Sequence, residues 1–366
     1  MLLRYLVISL IIFFSFALHA EEKKAELSFD QRAVLAATHM GSIQRKTGFF
    51  SYEFNFVTGE WSRSDELVRQ AGAGYGLGEY LTTHQDPIAK EVLKKALKAY
   101  SASSVSFRQG KLLAFNGDLK TAETGATALA MAAALQYRKA AGSREFDGDI
   151  EAWMRGLLEL YHPGGGFANS AVDNEESPYF NGETWLAVAM YFESFPDAKL
   201  KSLLMDIDKA MINQYAKAPD IGFFHWGLMA SAKRFEQTRD AKLIDFAAGQ
   251  VTAFLGEMRP NFDTEVNSCY SVEGMASVLP ELQRNGKYNA LATRLLGRVR
   301  QEMTKNIAMQ ILPDQKVLQL VSGRSLIAPE IPRYAGAFIN GLDRPDIRID
   351  FTQHCLSALI KTRGYQ

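Results

Sequence analysis

The apolar positions of this chain fall into two kinds of helical segment, and the two kinds alternate. The first is amphipathic. Pro87–Tyr100 is the clearest case: a proline opens it, and Lys90, Lys94, Lys95 and Lys98 take its wet side. Gln31–Gln44, Asp149–Tyr161, Ala198–Tyr215, Ala241–Met258 and Tyr288–Met309 complete this set. The second kind is rich in Ala, Gly and Leu, with little charge after a polar or aromatic first turn, so it is expected to be buried all round. Leu67–Leu77, Ala122–Met131, Gly182–Met190, His225–Ala232, Cys269–Ser277 and Asp350–Ala358 are its members.

Amphipathic and buried segments in strict alternation predict an all-α fold. It is an (α/α)6 toroid, in which six helical hairpins close into an inner and an outer ring. Small residues suit helices that converge on a central axis. An irregular open solenoid is the alternative; the number of pairs and the lack of a strict repeat length favour closure. Between the helices, Gly48–Phe56 alternates like a strand, and Val105–Phe115 reads as a β-hairpin around Gln109-Gly110. Residues 311–347 form the longest interruption, with Pro313, Gly323, Pro329, Pro332 and Gly336, and are expected as strands or a lid beside the ring's mouth. The glycines of Gly72–Gly78 follow no strand, so they read as close packing and not as a phosphate loop.

The chain start changes the picture of where the protein works. Arg4 precedes an apolar run from Leu6 to Leu18, then Ala20 and Glu21-Glu22-Lys23-Lys24. That pattern predicts a signal peptide over residues 1–20. The run is shorter than the ~20 apolar residues a membrane span needs, although an uncleaved anchor is the alternative. Residues 21–366 are then a single periplasmic or secreted domain with no membrane span after cleavage. Lys plus Arg equals Asp plus Glu at 41 each, which argues against nucleic acid as a partner, since that needs a clustered positive field. Cys269 and Cys355 are the two cysteines. They can pair in an exported protein, and the sequence leaves that open.

The alternation, with the loops Gly164-Gly-Gly-Phe-Ala168 and Gly222-Phe-Phe-His-Trp226 leading into inner helices, resembles the six-hairpin glycosidase-like superfamily over nearly all of residues 21–366. The resemblance is architectural. It implies a glycan or oligosaccharide partner held at one mouth of the ring, where inner-helix N-termini offer free amide donors.

Residues at those helix starts are the site candidates. Glu123 and Glu183 each sit in a Glu-Thr pair and could act as acid and base or nucleophile across a sugar; the alternative role is to stabilise their own first turns. Glu183 follows the polar, aromatic loop containing Asn174 and precedes Trp185, a stacking surface or a core residue. Asp350 has N-cap position, with Gln353 at capping-box spacing. Arg348 could clamp a carboxylate or phosphate, and His354 could exchange protons near neutral pH. His225 with Trp226, Tyr270 with Glu273 three residues on, and Arg69 complete the list.

His225, Cys269, His354 and Cys355 also suggest zinc, and Cys269–Gly274 with His354-Cys355 faintly resembles the ligand motifs of the lanthionine cyclases, which are zinc-bearing toroids. The adjacent pair is reversed, however, and that family's glycine pattern is missing. The leading expectation is therefore an exported carbohydrate-active enzyme without a cofactor. It would be a glycoside hydrolase, or else a lyase or epimerase, acting on an acidic or cell-envelope glycan through Glu183, Asp350, His354 and Glu123. A non-catalytic glycan-binding or assembly component is the first alternative, and a zinc enzyme the second.

Overall fold

The computed structural model describes residues 26–365; the expected signal peptide lies outside the described residues. Among these, twelve α-helices alternate between an outer set, α1 (Phe29–Ser42), α3 (Pro87–Ser103), α5 (Asp147–Leu158), α7 (Ala198–Lys217), α9 (Ala241–Ala253) and α11 (Asn289–Ala308), and an inner set, α2 (Leu67–Thr83), α4 (Thr124–Ala141), α6 (Pro178–Ser194), α8 (Ile221–Thr238), α10 (Cys269–Arg284) and α12 (Ile349–Thr362). Each inner helix packs on the next, and α12 returns to α2. The ring is closed, and the fold is the expected (α/α)6 toroid.

Local chemistry explains the helix starts. Ser28 and Gln31 form a reciprocal capping box on α1. Asp86 accepts from the amides of Ile88 and Ala89, with Pro87 in the first turn of α3. Asp197, Asp220 and Asp240 cap α7, α8 and α9 in the same way. Closure depends on side chains that are absent. A Cβ on Gly72 or Gly76 would lie 2.9 Å from Gln353 of α12, and one on Gly78 would lie 2.2 Å from Gln136 of α4. The glycines of α2 therefore let both of its ring neighbours approach.

Several element boundaries differ from the sequence reading, and those of α6, α8 and α12 move site residues. α6 begins at Pro178, so Glu183 lies in its second turn and dips into the ring. α8 begins at Ile221, with the same effect on His225. The N-cap of α12 is Arg348, with no side-chain cap bond. Asp350 is therefore no cap; its carboxylate pairs with arginines instead. α9 ends in a π-helical turn, Phe254–Met258.

The strands stand beside the mouth. β1 (Glu53–Asn55) pairs antiparallel with β2 (Glu60–Trp61) and with β7 (Ile347–Arg348), so Glu53 faces Arg348 just before α12. β3 (Ser104–Phe107) and β4 (Gly110–Leu113) form the expected hairpin. Residues 311–347 contain a second hairpin, β5 (Val317–Gln319) with β6 (Ser325–Ile327), and fold onto β1 and β2 through a small apolar core of Phe54, Phe56, Ile311, Ile331, Ile339 and Ile347. They form a wall. Asn340 is the residue of this stretch that lines the cleft. No described helix is long and apolar enough to cross a membrane.

Candidate functional site

The inner helices start at one mouth of the ring, and a cleft of about 530 Å³ opens there. Arg69, Glu123, Glu183, His225, Trp226, Tyr270, Arg348, Asp350, Gln353 and His354 all line it. Glu273 lies just below, fully buried, against two of them. These positions are spread along the whole chain and meet because the ring closes.

Glu273 is the hub of the cleft floor. Its Oε1 lies 2.6 Å from Nδ1 of His354 and 4.0 Å from Nε2 of His225. The two imidazole rings stand 5.5 Å apart, edge to face, with Tyr270 beside both. A Cβ on Gly274 would lie 2.6 Å from the Cα of His225, so a glycine is what lets α10 press its floor residues against α8. His225 is 3 % exposed and neither ring nitrogen has a hydrogen-bond partner; Oε2 of Glu273 has none either. Burial drives His225 well below its ordinary value, and the like charge of His354 pushes the same way. Burial opposes the charge on His354 too, but the charge and hydrogen bond of Glu273, with Asp350 behind it, outweigh this and raise it. Charge is thus disfavoured on one imidazole and favoured on the other, within one cleft.

A second pair of acids lies between α4 and α6. Glu183 is 4 % exposed and its Oε2 has no hydrogen-bond partner. A Cβ on Gly125 would fall 2.0 Å from that oxygen, so Gly125 makes the space into which the carboxyl projects. Burial, and then the charge of Glu123, raises Glu183 well above the usual carboxylate value. Glu123 is raised as well, by burial and by Glu66, with Arg69 offsetting part of it.

The arginines are already occupied. Arg348 holds Asp350 through two bonds, Nε–Oδ1 at 2.6 Å and Nη2–Oδ2 at 2.9 Å, and lies 3.8 Å from Glu53. Arg69 lies 3.2 Å from Asp350 and 2.6 Å from Glu66, and donates to the Tyr52 hydroxyl. The carboxylate that Arg348 clamps is thus an internal one.

Two candidates lie elsewhere. Trp185 is fully buried, donates its indole N–H to Asp208 at 2.8 Å and stacks on Phe223, so it is a core residue. Asn174 bonds His162 on the surface of the 164–177 loop and does not line the cleft. The cysteines correct the zinc ligand set: Cys269 and Cys355 are joined in a disulfide between α10 and α12, which leaves no thiolate for a metal. A cation could still meet His225, Glu273 and His354, whose donor atoms lie within 4.8 Å of one another. The sequence reading missed Glu66, Tyr179, Phe180, Asn267 and Asn340, all on the cleft wall. Tyr179, half exposed on the rim, was detectable as the aromatic that begins Tyr-Phe-Asn-Gly182. Asn340 carried no local signal.

No family model matches the chain, and no curated protein sequence matches it. Solved structures do. An inactive variant of the α-1,6-mannanase GH76A of Salegentibacter sp. HEL1_6, in complex with α-1,6-mannotetrose, superposes with a TM-score of 0.68 at 9 % identity, covering 93 % of this chain and all of that one. A sugar epimerase from a ruminal bacterium gives 0.61 at 11 % identity, covering 92 % and 98 %. An unsaturated glucuronyl hydrolase specific for heparin gives 0.60 at 10 % identity, covering 91 % and 96 %. These likenesses show the (α/α)6 toroid fold. At such identities the likeness concerns the six-hairpin fold alone, and the chemistry has to come from the side chains of this toroid.

Proposed function

We propose that this protein is a carbohydrate-active enzyme that moves a proton at a sugar carbon next to a carbonyl, which makes it an epimerase or isomerase. The observation that carries this reading is the pair of histidines across Glu273, their rings 5.5 Å apart, with burial disfavouring charge on His225 and Glu273 favouring it on His354. Proton transfer needs such opposed partners within one cleft. In the open-chain form of a reducing sugar, the imidazole of His225, which lines the cleft, takes the proton from the carbon beside the carbonyl. The electron pair of that C–H bond moves onto the carbonyl oxygen, giving an enediolate. The His354 imidazolium returns a proton to the opposite face of the carbon, which inverts it. Glu273 keeps His354 charged until then. Tyr179 and Phe180 offer aromatic faces on which sugar rings stack, with the buried Trp226 behind them on the cleft wall. The presence of a sugar epimerase among proteins of this fold supports the reading.

Hydrolysis is the second reading. It is favoured by Glu183, a carboxyl whose charge is disfavoured by burial and then by Glu123, as suits a general acid, and by the mannanases among the structural neighbours. Asp350 is a weaker partner for it than sequence suggested, because two arginines occupy its carboxylate. Export is supported by the apolar segment at residues 6–18 and by the disulfide, a bond that persists in oxidising compartments.

Incubation of the purified protein with reducing mono- and disaccharides in D2O, followed by NMR, tests the assignment. Deuterium entering the carbon next to the carbonyl, with the epimer appearing and with loss of both in His354→Gln, is the expected result. Release of new reducing ends without deuterium entry would replace it with the hydrolytic reading.

A further inference from the structure

The proton-transfer mechanism leaves Glu123 and Glu183 unused, and this is the least balanced part of the cleft. The carboxylates of Glu66, Glu53 and Asp350 all meet an arginine. Glu123 and Glu183 meet none: among the described residues neither forms an ion pair, and Oε2 of Glu183 lacks any hydrogen-bond donor although it is buried. Burying an acid this way is costly, and it persists in folded proteins where something else arrives to satisfy it. Both acids line the cleft. Gly125 makes room for the Glu183 carboxyl and the Phe180 ring, and Gly182 for Trp226, since a Cβ would fall 2.0 Å from Oε2 of Glu183 and 2.6 Å from Trp226 respectively. The rings of Phe180 and Trp226 line the same cleft. Two unpaired carboxyls beside two aromatic rings suit a compact cation, which gains charge-assisted hydrogen bonds from the first and cation–π attraction from the second.

We infer that Glu123 and Glu183 form a subsite for a protonated primary amine carried by the sugar, so that the substrate class is a glycan or oligosaccharide with unsubstituted hexosamine. This deepens the proposed function and rests on its reading of the cleft as a sugar site. It also turns the expected charge of the substrate around. The arginines that suggested an acidic glycan are neutralised from within, whereas the unmatched groups are acceptors. An ammonium donates three hydrogen bonds, enough for both carboxyls and one further acceptor. An N-acetyl group on the same sugar carries no charge and would leave Glu183 as unsatisfied as before.

The test is calorimetric titration of the mature protein with a glucosamine trisaccharide and with its fully N-acetylated counterpart, using wild type, Glu183→Gln and Glu123→Gln. The free-amine sugar should bind wild type about tenfold or more tighter, the scale of one charged hydrogen bond, and either substitution should erase that preference. Glu183→Gln nearly preserves shape, and Glu123→Gln lies at the less buried mouth, so one of the two remains informative if the other unfolds. Equal or tighter binding of the acetylated sugar, or a preference that survives both substitutions, overturns the amine subsite. Deuterium exchange on neutral sugars would then still stand, because it depends on His225 and His354. Failure of both sugars to bind would remove the subsite together with the sugar-site reading. Bond cleavage abolished by Glu183→Gln with the amine preference unchanged would assign Glu183 to hydrolysis instead.

Discussion

His354 on α12 and Glu273 on α10 meet at 2.6 Å, Nδ1 to Oε1, 81 residues apart in sequence. Their contact sets the charge of the cleft floor. It also yields a pH prediction with a defined sign. His354 is raised above its ordinary value of 6.5, so as a proton donor it stays active up to a pH above that value, and activity falls as pH rises through its pKa. The groups acting on it are Glu273 and Asp350, which raise it, and Arg348, which lowers it; neutral His225 adds no charge. Glu273→Gln should move the alkaline limb of the kcat/KM profile about one pH unit or more toward acid, the scale of one lost carboxylate neighbour. An alkaline limb that stays in place would separate His354 from the proton-transfer role.

Glu183 predicts an unusual stability profile. Its folded value lies well above the ordinary carboxylate value. Its contribution is therefore fully present at low pH and is lost as pH rises, since ionising it in the buried site costs more than in the unfolded chain. Glu183→Gln should match wild type in melting temperature near pH 4 and exceed it by several degrees near pH 8, a difference that calorimetry at the two pH values reads directly. A variant less stable than wild type at both would mean that Glu183 is satisfied in the folded protein.

The disulfide couples stability to the site. It links Cys269 to Cys355 across a separation of 86 residues, and Cys355 adjoins His354. Loop-closure entropy for such a span amounts to about 4–5 kcal/mol. A Cys269→Ala, Cys355→Ala double variant should lose up to that amount in denaturant unfolding. It should also lose turnover out of proportion to sugar binding, because α10 and α12 carry the Glu273–His354 contact.

Two tryptophans should separate core from site. Trp185 gives its N–H to Asp208 in the core, so Trp185→Phe should cost about 1 kcal/mol or more in stability and leave the KM for sugar unchanged. Trp226 lines the cleft and lies 6.1 Å from His354 by ring centroids. Trp226→Phe should raise KM several-fold in addition to lowering stability, since its ring is buried too. Equal effects on KM would mean that Trp185 communicates with the cleft.

The architecture was legible in the chain because a helix writes its surroundings into a period of 3.6 residues. The lysines of Pro87–Tyr100 marked an outer helix, and the glycines of Leu67–Leu77 an inner one. The polar clusters near the inner-helix starts were legible too, although the starts of α6, α8 and α12 were not, and ten of the proposed residues line one cleft. Contacts between helices were not. Tertiary structure alone decided that Glu273 would face His354 and His225, that Asp350 would be held by Arg348 and Arg69 instead of capping α12, and that Cys269 would meet Cys355. It also placed Trp185 in the core against Asp208 and Phe223, because an earlier start of α6 sets that residue a turn deeper, away from the mouth. Periodicity records which side of a helix is buried; it carries no record of which neighbour lies there. That is set by ring closure, which joins residues at opposite ends of the chain through packing with no local signature.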